Sequence, residues 1–199
     1  MLELRGQSCL SLQEVVQPRK QIVCSRSFGQ YVNSLHDLEE AVATYASRAA
    51  EKLRRDSSHA TALQVFIRTN RFAEEDTRCY RQATLAFSNP TDDTMAITAV
   101  ALSLVRQIFE PGYAYQKAGV TLLDLISAGT KQLDLFDNLE KTQKSQKLMQ
   151  LLDATSAAMG HKTLYLAAEG NNDDSWRIKS EHRTPAYTTC WDSLPIAKA

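Results

Sequence analysis

Three groups of residues have types and spacing that could do chemistry. The first is Ser25-Arg26-Ser27, inside the run Ile22 to Gly29. Serine hydroxyls, backbone N–H groups and an arginine are common phosphate partners. The same run also reads as an edge strand with solvated serines. The second group is a pair of cations, Arg68 and Lys117, each on the polar side of an alternating segment. The third is Gln132-Leu133-Asp134-Leu135-Phe136. It is too short for a core strand and sits between Gly129-Thr130 and a charged stretch. It reads as an exposed anchor peptide, with Gln132 as polar handle and Leu135-Phe136 as the plug for an apolar pocket. A few buried apolar anchors carry most of an interface's energy. The other reading folds Leu135 and Phe136 back onto their own domain, and the pentapeptide alone leaves both open.

Other chemistry is poorly supported. Glu74-Glu75-Asp76 falls in a loop and Asp92-Asp93 at a helix start, so neither forms a carboxylate pair suited to metal-assisted nucleotidyl transfer. His36, His59, His161 and His182 share no ligand spacing, so no metal and no cofactor are expected. Cys9, Cys24, Cys79 and Cys190 lie far apart with no CxxC, which argues against a zinc site and against a disulfide framework. Free thiols suit a reducing, cytoplasmic setting.

The chain has 199 residues, enough for one full domain plus an appendage. Lysine plus arginine balances aspartate plus glutamate, 23 against 23, so a nucleic-acid partner must be argued from local charge. No run of about 18 apolar residues occurs, so no membrane span is expected. The first residues lack the basic-then-apolar form of a signal peptide.

The elements that must position these residues follow from periodicity. Residues 1 to 19 read as a linker, broken by Gly6 and Pro18. Lys20 to Phe28 is β-prone, with Gly29 at its end. Ser34 and Asp37 form a capping-box-like start to a helix over 34–56. Leu38, Val42, Tyr45, Ala49 and Leu53 form its buried stripe; Glu39, Glu40, Ser47, Glu51 and Arg55 its solvated face. Arg54 and Arg55 suit its negative end.

Thr61 to Thr69 alternates, with Leu63, Val65 and Ile67 on one side and Gln64, Phe66 and Arg68 on the other. Tyr80 to Phe87 is its antiparallel partner across a polar loop. Asn89 to Asp93 reads as a turn leading into a second amphipathic helix over 92–109, stopped by Pro111-Gly112. Tyr113 to Ile126 is a long strand, with Lys117, Gly119 and Thr121 on its polar side. A third helix is expected over 142–159, and a short strand at Leu164 to Ala168. Trp176 and Trp191 read as packing anchors.

The order strand-helix-strand-strand-helix-strand predicts an α+β fold. It is a split βαβ: a four-stranded mixed sheet with two helices on one face and a C-terminal helical extension. Arg68 and Lys117, with Arg26, are expected on the face that the helices leave uncovered.

Several stretches, taken in order, resemble one family. They are Ile22 to Gly29, Arg48-Ala49-Ala50-Glu51-Lys52-Leu53-Arg54, Tyr115-Gln116-Lys117-Ala118-Gly119-Val120, Gln132 to Asp137, Thr163-Leu164-Tyr165 and Tyr187 to Pro195. Over nearly its whole length the chain is similar to the C-terminal half of the UmuC family, the catalytic subunits of DNA polymerase V among the Y-family translesion polymerases.

That resemblance implies four segments: residues 1–19 as the linker from a thumb, 20–128 as a DNA-holding little finger, 129–138 as a sliding-clamp-binding peptide, and 139–199 as a family-specific extension. It implies DNA contacts from Ser25, Arg26, Ser27, Arg68 and Lys117, and clamp contacts from Gln132, Leu133, Leu135 and Phe136. Implied partners are duplex or primer-template DNA, the bacterial sliding clamp, a UmuD-type accessory subunit and RecA. The implied setting is error-prone synthesis in the SOS response to DNA damage. The palm, with its metal-binding carboxylates, has no counterpart here, so this chain alone is not expected to polymerise DNA. The competing reading is a non-catalytic interaction module that recruits repair or replication proteins without touching DNA.

Overall fold

A computed structural model describes residues 3–6, 18–74, 77–130, 139–160, 163–170, 176–177, 184, 187, 190, 191 and 194. Its elements are β1 (Ile22–Val32), α1 (Leu35–Arg55), β2 (Ser58–Thr69), β3 (Tyr80–Thr91), α2 (Thr94–Ile108), β4 (Tyr115–Ser127) and α3 (Leu139–Met159). Short 3-10 helices span Glu3–Arg5, Ala128–Thr130 and Ala167–Glu169.

The four strands form one sheet in the order β1-β4-β2-β3. Every neighbouring pair is antiparallel. The expected mixed sheet is therefore corrected to a wholly antiparallel one. The two βαβ units are interleaved: β4 lies between β1 and β2, and β2 lies between β4 and β3. Each inserted strand runs against both of its neighbours, so no parallel pair survives.

Both helices lie on one face, as the alternation requires. Leu38, Val42, Tyr45, Ala49 and Leu53 of α1 share a core with Ile97, Ala101, Leu104, Val105 and Ile108 of α2. The strands contribute Ile22, Cys24 and Phe28, then Leu63, Val65 and Ile67, then Ala118, Val120 and Leu122. These are alternate positions, hence one side of the sheet. Each fully buried aliphatic side chain stabilises the fold by about 1.5–3 kcal/mol.

The helix starts are set by side-chain caps. Ser34 Oγ accepts the Asp37 N–H at 3.1 Å and donates to the Asp37 carboxylate at 2.8 Å. Asp93 accepts the N–H groups of Met95 and Ala96, so α2 begins at Thr94. Asn89, Pro90 and Thr91, expected as a turn, continue β3 instead. Likewise β1 runs past Gly29 to Val32. Leu164 to Ala168 is not a strand: the Glu169 N–H donates to the Leu166 carbonyl at 2.9 Å and closes the 3-10 helix Ala167–Glu169 instead.

The C-terminal extension packs on the face of α1 that was expected to be solvated. Trp176 is buried, edge-on to Phe28 at 6.1 Å and to Tyr45 at 6.0 Å between ring centroids. The Gly29 N–H donates to the Trp176 carbonyl at 2.9 Å. Glu40, Ser47 and Glu51 are consequently half-buried. Trp191, by contrast, is exposed.

Candidate nucleic-acid interface

The helix-free side of the sheet carries three rows of four residues, one from each strand. The register places Ser27, Lys117, Arg68 and Tyr80 in one row. Ser25, Gly119, Phe66 and Gln82 form the next, and Val23, Thr121, Gln64 and Thr84 the third. No acid occupies any of these twelve positions.

Local contacts tie neighbouring side chains of this surface together. Tyr80 donates its hydroxyl to Gln82 Oε1 at 2.7 Å, and Gln64 Nε2 donates to Thr84 Oγ1 at 3.1 Å. The Phe66 ring packs near Tyr80, 6.3 Å between centroids and tilted 32°. It also lies across Gly119. A Cβ on Gly119 would fall 2.6 Å from Phe66 Cζ and would also strike Ser25 Cβ. The glycine is thus what lets the aromatic ring lie down over β4.

The electrostatics of the first row are unusual for a free surface. Arg68 and Lys117 are direct cross-strand partners. Like charges directly opposite one another on a sheet are destabilising. Neither is ion-paired to a described carboxylate. Arg68 Nε is buried with no hydrogen-bond partner among the described residues. Such a pair is relieved by an anion set between them, and a phosphate oxygen has the right charge and acceptor chemistry.

Of the residues expected here, Ser25, Ser27, Arg68 and Lys117 come together on this face. Arg26 does not. Its cross-strand partner is the buried Ala118, and it alternates with Cys24 and Phe28 toward the helix side. Its charge also acts on Arg177, beside the buried Trp176. The Ser-Arg-Ser run hid this alternation, because no apolar residue marks it. Gln132, Leu133, Leu135 and Phe136 lie outside the described residues.

Tyr80 and Gln82 are members of the surface that sequence reasoning did not assign to it. Alternation already grouped Gln64 and Phe66 with Arg68. Adding Tyr80 and Gln82 needed the β2–β3 register.

The acids have structural work. Asp93 caps α2 and accepts the Ser145 hydroxyl. Asp92 lies 3.7 Å from His59, and its carbonyl accepts from Arg54. Among the described residues no cluster of three His, Cys, Asp or Glu side chains could hold a metal. No described helix is long and apolar enough to cross a membrane.

Comparison with known proteins decides the family. Residues 19–135 match the impB/mucB/samB family C-terminal domain. The chain belongs to this family. Residues 146–197 match a second model, a domain of unknown function called DUF4113. The chain is 40% identical to Protein UmuC of Salmonella typhimurium over 192 residues, covering 96% of this chain and 45% of that protein. It is 42% identical to Protein MucB of Escherichia coli over 195 residues, covering 98% of this chain and 46% of that protein. Protein SamB of Salmonella typhimurium is 39% identical, with 98% and 46% covered. The chain therefore spans about half the length of the curated relatives it matches. The similarity to the C-terminal half of UmuC that the motifs suggested holds along almost the whole chain, which is a Y-family-polymerase-related C-terminal domain.

Proposed function

We propose that this member of the impB/mucB/samB family is the DNA-holding and sliding-clamp-binding part of an error-prone Y-family translesion polymerase acting in SOS damage tolerance. The observation that carries the reading is the Lys117–Arg68 pair, set face to face on an acid-free sheet surface. Duplex or primer-template DNA lies on this face, with phosphates at Arg68 and Lys117 and hydroxyl contacts from Ser25 and Ser27. Phosphate contacts of this kind position a duplex without reading its sequence. Arg26, turned to the other side, takes no part in that contact. Gln132, Leu133, Leu135 and Phe136 bind the sliding clamp. A UmuD-type subunit and RecA are further partners, and nucleotidyl transfer is assigned to a palm outside this chain.

Duplex binding measured by fluorescence anisotropy across a salt series tests the DNA contact. The variant Arg68→Gln/Lys117→Gln should bind all sequences more weakly. Its slope of log affinity against log salt should be shallower by about 1.8, from two lost phosphate contacts. Unchanged affinity and slope would leave the competing reading, a protein-recruiting module with an inert sheet face.

A further inference from the structure

Among the described residues the edge strand β1 has β4 on one side only. Among the described residues, its outer edge takes part in one backbone hydrogen bond to the C-terminal extension, at Gly29. Toward Val23 to Arg26 the same edge borders a cavity of about 540 Å³. This cavity lies between β1, α1, α3 and the approach to the 3-10 helix, on the helix side of the sheet.

Its lining is mixed in a particular way. Arg26, Arg48 and Lys52 are exposed, and none makes an ion pair with a described carboxylate. Arg55 lines it too but is held by Glu51 at 2.7 Å. The other acid, Glu169, is buried, and its carboxylate accepts the Leu166 N–H at 3.4 Å, with Arg48 in its field. Beside the cations stand apolar surfaces from Leu152, Leu164 and Tyr165, the last two partly exposed.

We propose that the β1 edge and this cavity dock an extended acidic peptide of a partner protein. Its backbone pairs along Ile22 to Ser27, its carboxylates face Arg26, Arg48 and Lys52, and an apolar side chain enters against Leu164 and Tyr165. An unpaired sheet edge is a template for strand addition, in which main-chain bonds give affinity and side-chain pockets give specificity. Surplus positive charge selects the acidic partner. The apolar wall and a backbone edge left open by the described residues favour a peptide over a nucleic-acid strand, which would use the cations alone. A duplex on the helix-free face does not compete for Arg26.

The test uses the full chain and three labelled probes: a short glutamate-rich peptide containing leucines, the same peptide with lysine for glutamate, and single-stranded oligothymidylate. The glutamate peptide should bind and the lysine peptide should not. Arg48→Gln/Lys52→Gln, two exposed positions checked for folding by thermal melts, should weaken the glutamate peptide about tenfold. N-methylating alternate peptide bonds of the probe should also weaken it, since pairing needs those N–H groups. Arg68→Gln/Lys117→Gln should leave peptide binding unchanged, which separates this site from the duplex-binding face. The proposal is overturned if the glutamate peptide fails to bind or binds no better than its lysine counterpart. It is equally overturned if Arg48→Gln/Lys52→Gln weakens oligothymidylate binding and leaves the peptide untouched.

Discussion

Arg54, near the end of α1, and Asp153, on α3, meet in a two-bond fork. Arg54 Nε donates to Asp153 Oδ2 and Nη2 to Oδ1, both at 2.7 Å. Nη1 of the same guanidinium donates to the Asp92 carbonyl at 2.8 Å and to Thr94 Oγ1 at 2.7 Å. One side chain thus joins the end of α1, the start of α2 and the middle of α3. Only 9% of it is exposed. Planar bidentate pairing of this sort is specific to arginine.

Replacing Arg54 strands several acceptors at once. Breaking a buried pair by removing one partner costs about 3–5 kcal/mol, and the partial exposure of Asp153 puts Arg54→Ala at the low end. Arg54→Lys should recover only part of this loss, because it keeps the charge and loses the fork. Urea unfolding of the three proteins measures the difference. Hydrogen exchange should show α3 losing protection more than β2 does.

Gly119 should be intolerant of any side chain. Gly119→Ala forces Phe66 off β4 or pushes Ser25 outward. Overpacking of this kind costs about 1–3 kcal/mol. The same change roughens the surface proposed for DNA, so duplex affinity should fall along with the melting temperature. A second-site change, Phe66→Leu, should recover only part of the loss, because it relieves the ring contacts and leaves the clash with Ser25 Cβ.

These contacts show what was legible in the sequence and what was not. The cap at Ser34, the buried stripe of α1 and the alternation of β2 and β4 are local patterns, and each could be read directly, whereas Asp93, read as part of the first turn of α2, is its cap. Lys117 and Arg68 could be assigned to a polar face for the same reason. That they are partners could not, because it depends on β4 inserting between β1 and β2. Arg54 read as a cation suited to a helix end; its true partner is 99 residues away. Arg26 was misplaced because serines flank it where an apolar neighbour would have fixed the phase. Glu40 and Ser47 looked solvated, since nothing local signals that Trp176 and the 3-10 helix will cover them.

Glu169 should make the docking of that segment depend on pH. Burial raises its pKa above the usual carboxylate value, against the opposing pull of the Ser47 hydroxyl, the Leu166 N–H and Arg48. A raised carboxyl pKa means the folded state binds the proton more tightly than the unfolded state does. The resulting stability is fully present below the unfolded pKa and is lost as pH rises through the folded one. Thermal melts should therefore show this contribution falling as pH climbs out of the acid range. Glu169→Gln cannot titrate and should flatten that part of the profile. A profile identical to the parent's would show that Glu169 titrates alike in both states.

The clamp contact is the part of the proposal that stands on Gln132, Leu133, Leu135 and Phe136, between the 3-10 helix Ala128–Thr130 and α3. Two apolar anchors so close together are costly in water unless something covers them. Fully burying a leucine or phenylalanine contributes about 1.5–3 kcal/mol each. With hydrogen bonds from Gln132, that suffices for affinity of roughly micromolar order after the cost of ordering the peptide. Asp134 has no apolar role, so Asp134→Ser should change little. Leu135→Ala/Phe136→Ala should abolish binding in a titration with purified sliding clamp. It should leave the fold and duplex binding intact, because the described core is built from the strands, α1, α2 and Trp176. Equal clamp affinity for the double variant and the parent would refute the motif. Unfolding of the double variant would instead return the pair to the protein's own core.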